Sequence, residues 1–501
     1  MKLSRRAFNG GAVASAAAAI LPARATGVVL VRRSIGDLMQ EQSPLIDAYR
    51  GAVDAMMKRP VTDKTSWRFQ ANMFGVAASD IAGEAQPLAK YWRQNPRKSY
   101  FFLAWQRMHL YFFERILRRA AGDPIFALPY WGYDGLQHAA LPQPFRPGAD
   151  QLEMPVASRR NALARANRNT AFERGAHTLD DMTRDFAAAL ALDSFTAAGP
   201  LDPRSGFGGV RVADAKQSAS AGAIEALHNR FHLATGADGD LASPATAARD
   251  PVYWLHAANI DRLWVKWSAG GGVPPVDDDV WMKTPFTFVD ENGDDRVMTG
   301  ADVLDTQHQL GYRYDDDPPR AVRLQPTARA PAAPAPEPLV LARAGAVDLS
   351  ARETAVVFAP VPPPRRPPAK GKIAKGVRPP SPRMHVVLRD VVARERSPVY
   401  DLFLVLEGPN VFEATTTALK IGALELFGGS GHGDDSRNAQ GETVAFDITD
   451  AMAQFARIRG FNMRHLRLVI ARRAVTDAAG RQTVPRDPAP PEIEAIELVR
   501  S

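Results

Sequence analysis

A proline-rich, basic segment that cannot contribute to a hydrophobic core divides the sequence. Residues 361–383 read VPPPRRPPAKGKIAKGVRPPSPR and contain no acidic residue. Closely spaced prolines and like charges favour an extended, solvated chain over a packed one. We therefore predict a Pro-rich basic linker over residues 326–383 that separates an upstream domain from a downstream one.

The two sides of this linker differ in hydrophobic periodicity. Upstream, stretches such as LIDAYRGAVDAMMKR and LYFFERILRRAAG place apolar residues at helical spacing, and glycine and proline mark the loops. Downstream, stretches such as VYDLFLVLEG and HLRLVIARR alternate apolar and polar residues over the length of a strand. The sequence therefore predicts a mainly α protein whose helical core is followed by a C-terminal β-sandwich.

The positive charge of the chain is concentrated in two segments. The formal net charge is +7, but residues 361–383 carry seven basic residues and the first 25 residues carry four more. The rest of the sequence is therefore net acidic, and it lacks the basic surface that nucleic-acid binding requires. We expect no nucleic-acid partner.

The first 25 residues have the features of a twin-arginine export signal. Arg5 and Arg6 precede a short apolar run rich in glycine and alanine, and the small residues Ala23 and Ala25 follow it. No apolar run in the sequence is long enough for a permanent membrane span, and the chain contains no cysteine. We therefore expect an exported bacterial protein, periplasmic or secreted, without disulfides or thiolate metal ligands.

His228 and His232 form the first candidate site. They stand four residues apart in LHNRFHLATG, a stretch with helical character, so both imidazoles project from one helix face. This spacing suits two ligands of a single metal ion. The alternative is a structural role, in which both rings hydrogen-bond to backbone or carboxylate groups.

Two aromatic stretches carry a family resemblance. Residues 99–134 begin SYFFLAWQRMHLYFFERILRR, and residues 250–267 read DPVYWLHAANIDRLWVKW. Together with SWRFQANMFG near residue 70 and FVDENG followed by LDTQHQLGYRY after the core, these stretches resemble the tyrosinase and polyphenol oxidase family of type-3 copper proteins. The resemblance is to the plant-like, three-part form of that family.

The resemblance implies a fold and an order of domains. After the signal peptide at residues 1–25, a tyrosinase-like core with a central four-helix bundle covers residues 26–275. An appended polyphenol oxidase middle region covers residues 276–325, and the C-terminal β-sandwich domain covers residues 384–501. Members of this family hold two copper ions through three histidines each and oxidise phenols or catechols with dioxygen. Their C-terminal domain typically shields the active site in the latent form.

Only part of the second copper site is carried over by the resemblance. His228 and His232 match its first two ligand positions, but the third position is Ala257, whose methyl group cannot bind copper. His256 matches the neighbouring histidine, which is not a ligand in the family. One step along a helix turns a side chain by about 100°, so we expect that His256 cannot simply take over as the third copper ligand in place of residue 257.

The first copper site loses all of its ligands in the same comparison. Its three positions carry Phe74, Arg97 and Gln106. No realignment restores them, because His109 is the first histidine of the chain and lies downstream of all three positions. The guanidinium of Arg97 is cationic at any workable pH and would repel copper. Four of the six ligand positions that the resemblance implies are therefore replaced, and whether the chain is an enzyme stays open.

Two functions follow for such a divergent member. One is a non-standard or copper-free protein of the tyrosinase fold that binds a phenolic ligand or a protein partner. The alternative is an oxidoreductase with at most one copper ion on His228 and His232, completed by His109, His256, Glu225 or water.

A third function is a copper-free enzyme that catalyses a different reaction in the active-site pocket of the family. His228 would act as a base, and Glu225 or Asp261 would orient it. Asn229 is a further catalytic candidate, because it directly follows His228 within the family motif.

Overall fold

Two separate hydrophobic cores organise the described part of the chain, one built mainly from helices and one from strands. The predicted export signal lies outside the described residues. Within them, no helix is both long and apolar enough to cross a bilayer. The computed structural model describes residues 28–81, 87–135, 138–199, 201–202, 205–235, 239–317, 338–362, 382–393, 398–407, 417–427, 441–476, 482–484, 486–487 and 490–501.

The first core is formed by a helical region with a few short strands. It begins with strand β1 (Leu30–Arg32) and ends with strands β2 (Phe286–Val289), β3 (Asp295–Met298) and β4 (Tyr312–Tyr314). Between β1 and β2 lie the helices α1 (Ile35–Gln40), α2 (Leu45–Met57), α3 (Trp67–Phe74), α4 (Ala89–Trp92), α5 (Phe102–Ala121), α6 (Thr170–Glu173), α7 (Asp181–Arg184), α8 (Ala187–Leu190), α9 (Ala223–Ala234), α10 (Pro251–Ala269) and α11 (Asp279–Lys283).

Local sequence explains where the two longest helices begin and end. The carboxylate of Asp250 accepts a hydrogen bond from the amide of Val252, and Pro251 occupies the first position of α10. Helix α5 ends at Gly122, whose φ of +65° is a left-handed conformation that glycine adopts without a steric penalty. Both helices are buried along most of their length, so they form the centre of the helical core.

The middle region is tied to the start of the described chain. Strand β4 pairs in parallel with β1, and β2 pairs with β3 as a hairpin. Arg32, the last residue of β1, is fully buried and donates from Nε to Glu114 at 2.8 Å. It also donates to Asp261 at 3.2 Å and to the hydroxyl of Tyr314 at 2.9 Å. This buried network joins β1, α5, α10 and β4.

The second core lies between two antiparallel sheets, as the strand patterns predicted. One sheet has the order β11-β10-β13-β7, and the other has the order β12-β9-β16-β5-β8, with β6 also paired to β16. The helix α12 (Thr449–Phe455) packs beside β9. The strands are β5 (Leu339–Ala344), β6 (Val347–Asp348), β7 (Glu353–Val357), β8 (Ala359–Pro360), β9 (Met384–Val392), β10 (Tyr400–Leu406), β11 (Thr417–Leu424), β12 (Glu442–Asp447), β13 (Leu466–Arg472), β14 (Val475–Thr476), β15 (Gln482–Thr483) and β16 (Glu492–Arg500).

The prediction of one linker over residues 326–383 is wrong for its middle part. Residues 338–362 contain β5 to β8, and these strands belong to the two sheets of the second core. The apolar side chains of Ala342 and Val356 are buried there, which offsets the ordering of a segment that also contains prolines. Residues 326–337 and 363–381 lie outside the described residues.

Polar and ionic contacts connect the strand region to the helical region. Arg230 of α9 forms an ion pair with Glu425 at 3.0 Å, and Arg383 forms one with Asp202 at 3.0 Å. The Ser220 hydroxyl also donates to the backbone oxygen of Thr443. The segment that follows β11 therefore lies directly against α9.

Candidate functional site

Three buried histidines from two helices converge inside the helical core. His228 and His232 lie on α9, as their spacing predicted, and His256 lies on α10. The Nε2 atoms of His228 and His232 are 3.3 Å apart, and Nε2 of His256 is 2.8 Å from Nδ1 of His228. One nitrogen from each ring lies within 4.8 Å of the others, so the group has the dimensions of a metal site.

The outer partners of the three rings determine the direction of their hydrogen bonds. A carbonyl can only accept, so Nδ1 of His232 donates to the Leu241 oxygen at 2.8 Å. In a neutral ring Nε2 of His232 then accepts from Nε2 of His228. Nδ1 of His228 accepts from Nε2 of His256, whose Nδ1 accepts from the Tyr133 hydroxyl at 2.8 Å. With neutral rings every ring nitrogen is satisfied, and each tautomer is defined.

Burial keeps these imidazoles neutral. It lowers the pKa of His232 to about 3 and holds the pKa values of His228 and His256 well below the ordinary value. The positive charge of Arg97 further lowers the pKa values of His228 and His232, so its guanidinium acts on the same pocket. Neutral imidazole is the form that binds metal ions.

His256 lies beside the other two histidines, although it stands one helical step from the position of the family's third ligand. Helix α10 is buried on all sides from Pro251 to Trp264, so consecutive side chains each meet a neighbouring element. His256 stacks on Phe231 of α9, with ring centres 3.8 Å apart, and reaches His228 from that side. Its contact is with Nδ1 of His228, whereas His232 contacts Nε2 of the same ring.

Phe74, Arg97 and Gln106, which the resemblance aligns with the ligands of the first copper site, lie around this histidine group. The ring of Phe74 is 5.9 Å from the ring of His228, and the guanidinium of Arg97 is 5.9 Å from the ring of Phe74. The amide of Gln106 is fully buried and lies near the hydroxyl of Tyr253. An aromatic ring, a cation and an amide therefore line the pocket at these positions.

Phe427, which follows β11, closes the pocket from the strand region. Its ring lies parallel to the ring of His232 at 4.2 Å, with an angle of 2° between the planes. Its backbone oxygen accepts a hydrogen bond from Arg97 at 3.4 Å. Phe427 is 2% exposed and belongs to the core of the helical region. Sequence reasoning identified neither Phe427 nor Tyr133, because both contacts depend on packing between distant segments.

Two domain profiles match the region that contains this pocket and the region after it. The common central domain of tyrosinase matches residues 64–270, and the polyphenol oxidase middle domain matches residues 275–327. The chain belongs to the tyrosinase and polyphenol oxidase family. The resemblance seen in the sequence is thereby confirmed, including the plant-like form in several parts.

Curated members of the family are similar to the first part of the chain. The tyrosinase HcTyr1 of a Hahella species is 30% identical over 298 residues, which are 53% of this chain and 59% of that protein. The latent chloroplastic polyphenol oxidase of Prunus armeniaca is 30% identical over 241 residues, which are 46% of this chain and 40% of that protein. The chain thus spans about half the length of the curated relatives it matches.

Solved structures of the family share the fold over almost the whole chain. Latent apple tyrosinase superimposes with a TM-score of 0.56 at 19% identity, covering 96% of this chain and 98% of that one. A recombinant latent aurone synthase superimposes with a TM-score of 0.57 at 18% identity, covering 94% of this chain and 89% of that one. The predicted tyrosinase-like fold with a C-terminal β region is therefore confirmed.

The residues of the pocket do not fit the dinuclear copper centre that the family implies. Such a centre needs two groups of ligands, and the described residues contain one group of three histidines. Phe74 contacts the ring of His228 on that side, and the guanidinium of Arg97 lies 5.9 Å from the Phe74 ring, where its positive charge opposes a second cation. Ala257, at the family's third ligand position, is buried and offers no ligand atom.

The other candidate residues lie outside the histidine group. Oε1 of Glu225 accepts from the backbone amide of Lys98 at 2.7 Å, and Asn229 is half-buried at the next position after His228. Neither Glu225 nor Asp261 orients His228, because both nitrogens of that ring contact histidines.

Asp261 and His109 belong to other parts of the core. Asp261 binds Arg32 and Arg107 and accepts from the hydroxyls of Tyr312 and Tyr314. The ring of His109 lies 5.0 Å from the rings of Trp105 and Trp254, and burial lowers the pKa of His109 to about 3. The structure therefore completes the histidine pair with His256 and not with His109.

Proposed function

We propose that this chain is a non-standard member of the tyrosinase and polyphenol oxidase family whose dinuclear copper site is degenerate. It binds a phenolic ligand at the face of His232 that Phe427 covers. The observation that carries this proposal is that the described residues hold one group of three histidines, with the Arg97 charge acting on it. The phenolic class is supported by the family and by the ring of Phe427, which occupies the face of His232 in the manner of an aromatic ligand.

This proposal includes three further features: the central helix bundle, the closure of the pocket and the export of the chain. The helices α2, α5, α9 and α10 form the central four-helix bundle, which is supported by contacts of α5 with α2 and α10 and of α9 with α10. The segment around Phe427 keeps the pocket closed in a latent form. Export by the twin-arginine route follows from residues 1–25.

Copper loading tests the degenerate centre. The full chain, expressed and purified with excess copper, is expected to retain at most one ion and to show no absorption band of an oxygenated dinuclear centre. It should neither hydroxylate tyrosine nor oxidise catechol, both before and after limited proteolysis. Elemental analysis, the visible spectrum and oxygen consumption measure these properties, and the Hahella tyrosinase treated in parallel serves as the control. Two copper ions per chain together with catechol oxidation would show that the proposal is wrong.

A mononuclear metal oxidoreductase is the second candidate. It is favoured by the histidine group itself, because Nε2 of His228 and His232 point at each other from one rigid helix. Nδ1 of His232 is already held by the Leu241 oxygen, which is the kind of outer contact that orients a metal-binding imidazole. His228, His232 and His256 would hold the ion, and a bound copper ion would supply redox chemistry there.

A further inference from the structure

Phe427 presents two chemical groups to the pocket, an aromatic ring and an oxygen acceptor. The ring stacks on His232 with its centre 4.2 Å away. The backbone oxygen accepts from Nη2 of Arg97 at 3.4 Å, and the guanidinium lies 5.6 Å from the centre of the Phe427 ring. A free molecule that joins an aromatic ring to an oxygen acceptor would meet the same two partners.

The guanidinium of Arg97 favours a ligand with an anionic oxygen acceptor over a ligand with a neutral one. A guanidinium presents a planar fork of donors that matches the two oxygens of a carboxylate. Its charge reaches the neutral rings of His228 and His232, whose pKa values it lowers. A carboxylate placed on Arg97 gains a charged hydrogen bond in a partly dehydrated pocket, whereas a neutral alcohol gains only a weaker one.

Gln106 and Tyr253 provide further polar atoms near His232 and Phe74. The buried side chains of Gln106 and Tyr253 interact with each other, and beyond this contact Nε2 of Gln106 and the hydroxyl of Tyr253 have no partner among the described residues. The ring of Tyr253 lies 6.0 Å from the ring of His232 and 4.7 Å from the ring of Phe74. Buried polar atoms of this kind are places where a ligand or a water molecule completes the hydrogen bonding. They suit a hydroxyl substituent on the ligand ring.

We propose that the pocket covered by Phe427 binds a small aromatic carboxylate, with its ring against His232 and its carboxylate on Arg97. This inference rests on the proposed function and names the ligand class within it. Phe427 imitates this ligand with its own ring and backbone oxygen, so ligand and Phe427 compete for the same two side chains.

Calorimetric titration of the full chain with two matched probes tests this inference. The probes are 4-hydroxybenzoate and 4-hydroxybenzyl alcohol, which share the phenol and differ in the charge of the second group. In the Phe427→Ala chain, the benzoate is expected to bind about ten- to a hundred-fold more tightly than the alcohol, the range for a hydrogen bond to a charged group. Binding of the benzoate to the unaltered chain should be weaker, because Phe427 competes.

Variants of Arg97 in the Phe427→Ala chain test whether this arginine binds the ligand carboxylate. Arg97→Gln should remove the preference for the benzoate and leave the affinity for the alcohol nearly unchanged. Arg97→Lys, which keeps the charge but loses the planar fork, should retain part of the preference. Arg93→Gln is the matched control, because Arg93 is exposed and lies four residues earlier in the sequence. Circular dichroism melting establishes that each variant is folded.

The outcomes separate this inference from the proposed function. Equal affinity for the two probes in the Phe427→Ala chain would overturn the carboxylate inference, even if no Arg97 variant folds, while binding of both phenols would support the proposed function. A preference that survives Arg97→Gln would also overturn it. Failure of both probes to bind would overturn the phenolic ligand itself.

Discussion

Replacing Asp261 by asparagine is expected to destabilise the helical region by about 3–5 kcal/mol, the cost of removing one partner from a buried ion pair. The carboxylate is 3% exposed and binds Arg107 at 2.5 Å and Arg32 at 3.2 Å. Although burial opposes ionisation, these two charges hold the pKa of Asp261 below its ordinary value. Asparagine has nearly the same shape but leaves both guanidinium charges without their shared counter-ion.

Urea unfolding followed by tryptophan fluorescence measures this effect in the relevant part of the chain. All eight tryptophans lie between residues 67 and 281, so the signal reports on the helical region and not on the strand region. Asp279→Asn is the control, because its carboxylate is 82% exposed and pairs with an equally accessible lysine. The control should cost less than about 1 kcal/mol, as surface ion pairs usually do.

The same variant distinguishes a structural role of Asp261 from a catalytic one. If Asp261 acts in chemistry, Asp261→Asn should abolish activity or ligand binding and leave the unfolding midpoint unchanged. If it holds β1, β4 and α10 together, as its four contacts indicate, the midpoint should fall. An unchanged midpoint would contradict the structural role.

The second large effect is expected in copper binding by the histidine group. Ala257→His places an imidazole at the family's third ligand position on α10 and should raise the affinity for copper by about ten- to a hundred-fold, the usual effect of one supporting group at a metal site. Helix α10 is held by the Asp261 network and by the hydrogen bond of Arg262 to Asn259 at 2.8 Å. These contacts fix the position of α10, although the new imidazole must also find room at a buried position.

Copper titration against a competing chelator measures the affinity of each variant. His228→Ala should abolish binding, because it removes the ring that contacts both other histidines. His308→Ala is the control, since the side chain of His308 is 74% exposed and bonds to Asp305 far from the group. Equal affinity in the unaltered chain, Ala257→His and His228→Ala would place any bound copper elsewhere. Position 257 is buried, so the added imidazole can prevent folding. In that case the unaltered chain compared with His228→Ala still tests whether copper binds at the histidine group.

Local patterns predicted several elements of the fold. Apolar residues at helical spacing predicted α2 and α5, and alternating residues predicted β10 and β13. Spacing also placed His228 and His232 on one helix face, because the geometry of a helix fixes neighbours four residues apart. The order of helical core, middle region and β-sandwich followed from motifs that each lie within a short stretch of chain.

Composition predicted the structure of residues 326–383 less well. Proline and charge predicted an extended segment over residues 326–383, but residues 338–362 form strands of the sandwich. These strands exist because their apolar residues are buried against partners more than a hundred residues away in sequence, such as β16. A composition average over the whole segment does not register which of its residues meet such a partner.

The sequence by itself determined the family and the position of His228 and His232 on one helix, and it predicts the loss of ligands at Phe74, Arg97 and Gln106. Only the tertiary structure brought His256 to the pair and Phe427 onto His232. The physical reason is the difference between local and long-range contacts. Helical spacing fixes the first kind, whereas the second depends on how buried helices and a distant strand region pack together.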